Sequence, residues 1–239
     1  MSCISRYVCR GVLLAYALFA GACATTAAND PRDPLEGFNR GVYSFNQTMD
    51  NALFDPLGKF YQAITPGFVD KGVTNFFSNL NDIAVVANDF LQFKVNQALT
   101  DTVRLIFNST AGLAGFFDVA TPIDMPKHDE DFGQTLGYWG VGPGPYLMVP
   151  LFGPSSIRDV TGYAVDRGIL SPLFYINDDV LKASLLTLNY IDFKADLLTS
   201  KKLVREAAVD EYEFLKNAYF EKRDNQIHDG KTSGYSDQE

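Results

Sequence analysis

Apolar residues recur at intervals of three and four along most of this chain, which is the spacing of one face of an α-helix. The first apolar stripe follows Asp33-Pro34, a pair typical of the start of a helix. Asn39 and Asn46 stand seven residues apart, so they share a face beside this stripe. The members of the stripe are Leu35, Phe38, Val42, Phe45, Met49 and Leu53. The pattern predicts an amphipathic first helix.

Similar stripes predict a succession of further helices. Pro56 and Pro66 mark the starts of two short helices, and Asp82 is predicted to cap another. A long helix is predicted to begin at Asp178, and a charged, solvent-facing helix is predicted over Lys201–Arg223. The predicted fold class is therefore all-α, a single domain of many short amphipathic helices.

Residues 132–157, FGQTLGYWGVGPGPYLMVPLFGPSSI, interrupt the helical pattern. The segment contains no charged residue, and its six glycines and four prolines rule out one continuous helix. We expect an irregular crossover with a short hairpin near Tyr146–Leu151, followed by a helix that Ser155 caps. A neutral, irregular segment needs shelter from water as well as partners for its backbone. It therefore belongs in a protein core or in protein-covered structure that lines a cavity at membrane depth.

The N-terminus has the features of a bacterial lipoprotein leader. Two arginines precede the apolar run Gly11–Phe19, which is too short to span a bilayer. Small residues then lead into Cys23, whereas the other two cysteines lie within the leader. The pattern predicts a signal peptide over residues 1–22 and acylation of Cys23. An ordinary secretory signal with a cysteine nearby is the alternative.

Three further segments follow the predicted leader. Residues 23–32 are small and polar and are predicted to form a flexible lipidated tether. The helical domain is predicted over residues 33–224, and a disordered polar tail over residues 225–239. No run of 18 apolar residues follows the leader, so we expect no helix perpendicular to a bilayer.

Composition and motifs exclude several classes of function. The net charge of −9 argues against a nucleic-acid partner, which would require a basic face. Neither His128 nor His228 has a second histidine or a cysteine at a metal-binding spacing. Gly140–Gly144 does not match a phosphate-binding fingerprint, since Pro143 removes a donor that such a loop would use. We expect no catalytic residue, no metal and no cofactor.

Two long motifs carry a family resemblance. The segments 33–40 (DPLEGFNR) and 132–137 (FGQTLG) resemble corresponding segments of the MlaA (VacJ) family of outer-membrane lipoproteins. The likeness continues through Gly140–Tyr146 and reaches Asp210–Tyr212, so it covers nearly all of the predicted domain. Lys194 departs from the family pattern, in which arginine is common at this place.

The resemblance implies a non-enzymatic function in lipid transport. Members of this family form a helical ring in the inner leaflet of the outer membrane of Gram-negative-type bacteria, facing the periplasm. An amphipathic channel through the ring passes phospholipids mislocalised to the outer leaflet, and a soluble MlaC-like periplasmic lipid-binding protein receives them. A trimeric porin holds the ring from the side. A membrane-anchored lipid hydrolase and a structural lipoprotein that braces porins are the alternatives.

The resemblance also suggests places for the channel and its gate. A wall for lipid needs polar groups toward the lumen and apolar groups toward the acyl chains, so Asn39, Phe45 and Asn46 are channel-lining candidates. Alternatively, the asparagines cap neighbouring turns, and the neutral segment is a buried crossover whose aromatic residues belong to the core. The candidates for the gate or rim are Phe132, Gly133, Gly137, Tyr138, Trp139, Gly140, Gly142, Gly144, Pro145 and Tyr146.

Overall fold

The computed structural model describes residues 30–230, in which eight α-helices surround one two-stranded hairpin. The predicted leader, Cys23 and most of the predicted tether lie outside the described residues. The helices are α1 Glu36–Met49, α2 Asp55–Ile64, α3 Gly67–Leu91, α4 Val95–Thr110, α5 Phe132–Tyr138, α6 Ile157–Val165, α7 Asp179–Ala207 and α8 Glu211–Ile227. The strands are β1 Tyr146–Val149 and β2 Gly153–Ser156. The predicted all-α class is confirmed, and the predicted hairpin is present.

One π-helical turn joins two helices that the sequence suggested were separate, and a second lengthens a predicted helix. The turn Asp50–Phe54 continues α1 into α2, and the turn Asp166–Leu170 extends α6. Short 3-10 turns cover Thr121–Ile123 and Pro172–Tyr175. None of the helices in residues 30–230 is both long and apolar enough to cross a bilayer.

Several predicted helix ends are wrong because tertiary contacts use the capping residues. Asp82 does not start a helix: it is buried within the continuous α3, and its carboxylate pairs with Lys127 Nζ at 2.5 Å. Asp33 does not cap α1, since its carboxylate accepts hydrogen bonds from Asn39 and Tyr212 instead. The cap of α6 is Ser156, one residue beyond the predicted Ser155.

The C-terminal part also differs from the prediction. The helix predicted over Lys201–Arg223 is interrupted between α7, which ends at Ala207, and α8, which begins at Glu211. Asp210 caps α8 by accepting hydrogen bonds from the backbone N–H groups of Tyr212 and Glu213. The α8 helix is not solvent-facing as predicted, because Tyr212 and Lys216 are buried. It also continues to Ile227, into the predicted disordered tail.

The hairpin forms the small apolar core of the described chain. Tyr146 and Met148 on β1 pack with Tyr212 of α8, and aromatic residues of α1 and α8 surround them. In the antiparallel register, Tyr146 pairs with Ser156 and Val149 pairs with Gly153. The hairpin thus joins the first and last helices of the domain.

The α5 and α6 helices cross at two glycines. A Cβ atom added to Gly162 would lie 2.3 Å from the backbone nitrogen of Gly133, closer than any real Cβ contact. Elsewhere, α3 packs against α4, α5 and α7, while α2 packs against α7. The close crossing fixes α5, and with it the start of the glycine-rich loop at residues 139–145.

Candidate functional site

The interior of this protein is polar, and much of its surface is apolar. Among residues 30–230, twenty buried side chains are polar or charged, compared with ten that are apolar. Thirty-four large apolar side chains are exposed in the same part of the chain. A soluble monomer rarely exposes contiguous apolar surface on this scale, so the distribution points to a lipid or protein environment around the helices.

Helix α4 shows this inversion most clearly. Leu99 and Ile106 are more than half exposed, whereas Asp101 and Arg104 on the opposite side are at most 4% exposed. Arg104 is retained inside by Asp118, 2.8 Å away, and by the carbonyl of Met125, 2.7 Å away. Leu99 and Ile106 are seven residues apart and form an apolar stripe at helical spacing, but this stripe faces outward.

Apolar side chains are exposed on other helices and on the hairpin tip as well. Phe60 and Ile64 of α2 are 61% and 62% exposed, and Phe45 of α1 is 47% exposed. Phe45 therefore presents an apolar ring to the surroundings, and it stays a channel-lining candidate. Further exposed aromatic residues are Phe68, Phe90, Phe93, Phe107, Phe117, Phe152, Phe174, Tyr175 and Phe193.

A shallow, open hollow lies along the first half of α7, and all of its lining residues belong to this one helix. Its lining is mostly apolar, with two hydroxyl groups. The lining residues are Asp179, Val180, Ala183, Ser184, Thr187, Leu188 and Ile191. None of these was predicted as a site residue, since the same spacing of small and apolar residues occurs on any packed helix.

The glycine-rich loop, residues 139–145, is the exposed part of the neutral segment. Gly140, Gly142 and Gly144 are exposed, and a side chain added at Gly140 or Gly142 would meet no atom within 4 Å. Gly140 and Gly144 have positive φ angles of 86° and 67°, which glycine adopts without strain. Trp139 anchors the start of the loop, because its indole Nε1 donates to the carbonyl of Leu91 at 3.1 Å.

A buried ion network supports this loop from below. Arg158 donates to the carbonyl of Val141 in the loop and to Asp159. Arg223 of α8 pairs with Asp131 at 2.6 Å and with Asp159 at 2.7 Å. Burial alone would raise the pKa values of these two carboxyls, but the Arg223 guanidinium outweighs burial and lowers both. The network therefore remains charged at neutral pH and joins α5, α6 and α8 beneath the loop.

The two asparagines predicted to line a channel instead hold the hairpin. The Asn39 amide is fully buried, donates to the carbonyl of Tyr146 at 3.1 Å and accepts from the N–H of Met148 at 2.9 Å. Asn46 donates to the carbonyl of Val149 at 3.0 Å and accepts from the N–H of Leu151 at 2.7 Å. The channel-lining prediction is therefore wrong for both, because the backbone of the hairpin uses their donors and acceptors.

The ten residues predicted for the gate or rim differ in their exposure: some are buried in the fold and others lie on the surface. Gly133 is buried at the helix crossing, and Tyr146 is fully buried in the core, so the prediction of a rim position is wrong for both. Phe132, Gly137 and Pro145 are half-buried, and Gly137 lies against Ile227 and Arg158. The exposed members, which remain candidates for the gate, are Tyr138, Trp139, Gly140, Gly142 and Gly144.

Buried lysines are a second feature that the sequence did not reveal. Lys194 of α7 is 5% exposed and lies 2.9 Å from Asp50 in the π-helical turn. Lys201, one heptad later, also lies 2.9 Å from Asp50. Lys216 of α8 is 1% exposed and contacts Glu213 at 3.0 Å. Each cation is paired with a carboxylate, which compensates the cost of burying its charge. Residues 30–230 hold no group of three or more His, Cys, Asp or Glu side chains suited to a metal ion.

These features define a class of protein: a helical domain with buried ion pairs, many exposed apolar side chains and an apolar hollow beside one long helix, suited to a lipid or protein environment. Residues 31–226 match the model of the MlaA lipoprotein family, and the chain belongs to this family. The predicted family resemblance is therefore confirmed.

Similar proteins agree with this assignment. The chain is 34% identical over 208 residues to the "Intermembrane phospholipid transport system lipoprotein MlaA" of Escherichia coli (strain K12), covering 84% of this chain and 82% of that protein. It is 32% identical over 192 residues to an uncharacterized protein of Rickettsia felis, covering 80% of this chain and 76% of that one. A solved structure from work on the maintenance of bacterial outer membrane lipid asymmetry superposes with a TM-score of 0.72 at 32% identity. That likeness covers 82% of this chain and 98% of the solved chain.

Proposed function

We propose that this protein is the lipoprotein component of an intermembrane phospholipid transport system and acts as a passive conduit. Phospholipid mislocalised to the outer leaflet of the outer membrane passes through it to a soluble periplasmic lipid carrier. The observation that carries the proposal is the inverted polarity of the described helices, with Arg104 and Lys194 inside and Leu99 and Phe60 outside. The names of the relatives support the same general role.

The inverted polarity suits transfer of a lipid without chemical change. A phospholipid headgroup that enters hydrocarbon loses its hydrogen bonds and its hydration, at a cost of several kcal/mol or more. A path that offers polar groups to the headgroup and apolar surface to the acyl chains lowers that barrier. We assign the acyl-chain side of the path to the hollow along α7, where Val180, Leu188 and Ile191 provide apolar surface.

The location follows from the same features. Lipidation of Cys23 with more than one acyl chain holds the protein in the inner leaflet of the outer membrane, since a single acyl chain gives only marginal, reversible binding. The exposed apolar faces of α2 and α4 then lie among acyl chains, while charge plays little part in membrane attachment because the net charge is −9. A porin trimer and a soluble lipid-binding protein are the proposed partners.

Replacing Cys23 by alanine tests the anchor. We expect Cys23→Ala to abolish incorporation of labelled palmitate and to deplete the protein from the outer-membrane fraction. Cys9→Ala, which changes the predicted leader only, is the matched control and is expected to behave as wild type. Wild-type labelling of Cys23→Ala would contradict the assignment of the lipidation site.

Gly142 allows a test of the exposed loop without disturbing the fold. Gly142 is exposed, its φ angle lies outside the positive range and a Cβ atom added there meets no atom within 4 Å, so Gly142→Phe is expected to fold and anchor normally. If the loop borders the lipid path, the bulky ring obstructs that path. Lipid transport is then expected to fall by roughly tenfold or more, which is the scale of loss when groups at a functional site are displaced. The measurement is phospholipid on the cell surface of a deletion strain that carries the variant.

Gly41→Phe is the control for this experiment, since Gly41 on α1 is also exposed and has no atom near its added Cβ. If Gly142→Phe restores lipid asymmetry in the deletion strain as fully as the wild-type protein does, the loop has only a structural role. Normal lipid asymmetry in the deletion strain itself would contradict the proposed function and would favour a protein that only braces porins.

A further inference from the structure

Three carboxyl groups are buried together where the end of α3 meets the start of α4. Asp89 is fully buried, and Asp101 and Glu130 are 1% and 6% exposed. Glu130 has full compensation: Lys94 Nζ lies 2.8 Å from one oxygen, and Gln92 Nε2 donates to the other at 2.8 Å. The negative charge of Glu130 is therefore neutralised locally, whereas that of the two aspartates has to be handled differently.

Asp89 lacks a partner for half of its carboxyl group. Its Oδ1 accepts from Gln97 Nε2 at 2.7 Å, but its buried Oδ2 has no hydrogen-bond donor. The neighbouring Asp101 uses one oxygen to contact His128 Nδ1 at 2.9 Å. A proton on Oδ2 of Asp89 would make this oxygen a hydrogen-bond donor in place of an acceptor without a partner. It would also remove the repulsion between two adjacent carboxylates.

The electrostatic environment agrees with a protonated Asp89. Burial, followed by the charge of Asp101, raises the pKa of Asp89 from 3.8 to about 8. Glu130 acts in the same direction, and the hydrogen bond from Gln97 opposes it. Four other charged groups lie around the pair: His128 beside Asp101, Lys94 in the turn before α4, Asp229 beyond α8 and Arg104 one turn along α4. Asp82 of α3, which is paired with Lys127, also lies close enough to Asp101 for their charges to repel.

The same turn of α3 holds α5 and the glycine-rich loop. Thr135 of α5 donates to Asn88 at 2.8 Å, and Gln92 contacts the Thr135 hydroxyl at 3.3 Å. Trp139 donates to the carbonyl of Leu91. Asp89 thus lies within three residues of every α3 group that holds α5 or the loop, so a shift of its backbone is transmitted to Trp139.

We propose that Asp89 is protonated beside Asp101 at neutral pH and that this pair is a pH-sensitive latch: deprotonation of Asp89 loosens the junction of α3 with α5 and Trp139. At neutral pH the latch is closed. In alkaline solution two adjacent buried carboxylates repel each other, and the end of α3 moves away from α4. The inference does not depend on lipid transport, because it concerns contacts within the folded chain.

The single tryptophan of the chain reports on this junction directly. Trp139 is 52% exposed, and its indole is held by the Leu91 carbonyl. We expect its fluorescence, recorded on the full protein in phospholipid nanodiscs, to change in one step with a midpoint near pH 8. The titration runs over about pH 6 to 9, at the upper end of which a tyrosine with the ordinary pKa of about 10 is only about one-tenth ionised.

Two variants test the two members of the pair. Asp89→Asn mimics the protonated acid and is expected to abolish the step. Asp101→Asn removes the neighbouring charge but not the burial of Asp89, so it is expected to move the step to lower pH. Either variant is sufficient if the other does not fold, as judged by circular dichroism. Asp124→Asn, at an exposed position with a φ angle of 60° that asparagine tolerates, is the control and retains the step.

The pH dependence of thermal unfolding provides a second test of whether Asp89 is protonated in the folded protein. The folded chain keeps the proton of Asp89 at pH values where the unfolded chain has lost it. Stability from this group is therefore greatest below about pH 4, falls as the pH rises and is lost above about pH 8. Asp89→Asn flattens this slope. A wild-type titration without a step, a step that persists in Asp89→Asn, or a step that does not move in Asp101→Asn overturns the latch.

Discussion

Replacing Gly162 by alanine is expected to destabilise the protein by at least about 2 kcal/mol, because overpacking against fixed backbone costs roughly 1–3 kcal/mol and occasionally more. The added Cβ would lie 2.3 Å from the nitrogen and 2.7 Å from the Cα of Gly133. Both atoms belong to the backbone of α5, so no side-chain rotation relieves the clash. The expected shift in the unfolding temperature of detergent-solubilised protein is roughly 4 °C or more.

Gly41→Ala is the matched control for this change. Gly41 also lies in a helix, but its added Cβ meets no atom within 4 Å, so alanine is expected to stabilise α1 by roughly 0.5–1 kcal/mol. If Gly162→Ala lowers the stability and Gly41→Ala raises it, the close crossing of α5 and α6, and not helix propensity, causes the loss of stability at Gly162. If Gly162→Ala melts at or above the wild-type temperature, the close crossing of α5 and α6 is not present in the molecule.

Replacing Asn39 by alanine is expected to cost about 3 kcal/mol, since a buried polar group left without its partner costs roughly 1–3 kcal/mol. The change removes a donor from the carbonyl of Tyr146 and from Asp33, and an acceptor from the N–H of Met148. Asp33 keeps its hydrogen bond from Tyr212, which limits its share of the loss. The measurement is thermal unfolding, together with the rate at which protease cleaves the hairpin.

Ser44→Ala is the control for this prediction, because Ser44 is exposed on the same helix. It is expected to change stability by less than about 0.5 kcal/mol, as surface substitutions usually do. A similar small effect of Asn39→Ala would mean that the hairpin is held by its own packing, with Asn39 free to serve another role.

Helix content followed from the sequence wherever a helix is long and its caps act locally. Asp178 is the clearest case: its side chain accepts from the N–H groups of Val180 and Leu181, as predicted for the start of α7. The hairpin within the neutral segment was also predicted, since four prolines and six glycines exclude a continuous helix there. Predictions were wrong at Asp33 and Asp82, where a residue typical of a cap serves a contact distant in sequence.

Only part of the candidate site could be predicted. The exposed loop from Trp139 to Gly144 lies within the predicted rim, because a neutral, glycine-rich segment is distinctive in any sequence. Asn39 and Asn46 were assigned the wrong role, since a seven-residue spacing shows that two side chains share a face but does not show what meets that face. The hairpin that occupies their amide groups is more than 100 residues away in the chain.

The sequence by itself determined the helical class, the family, the predicted anchor at Cys23 and the positions of the apolar stripes. Only the tertiary structure decided the direction in which those stripes face. A stripe at helical spacing is identical whether it packs into a core or lies among acyl chains, because the spacing reflects the geometry of the helix and not its surroundings. On α4, for example, burial of Arg104 and exposure of Leu99 are set by partners from other segments, such as Asp118.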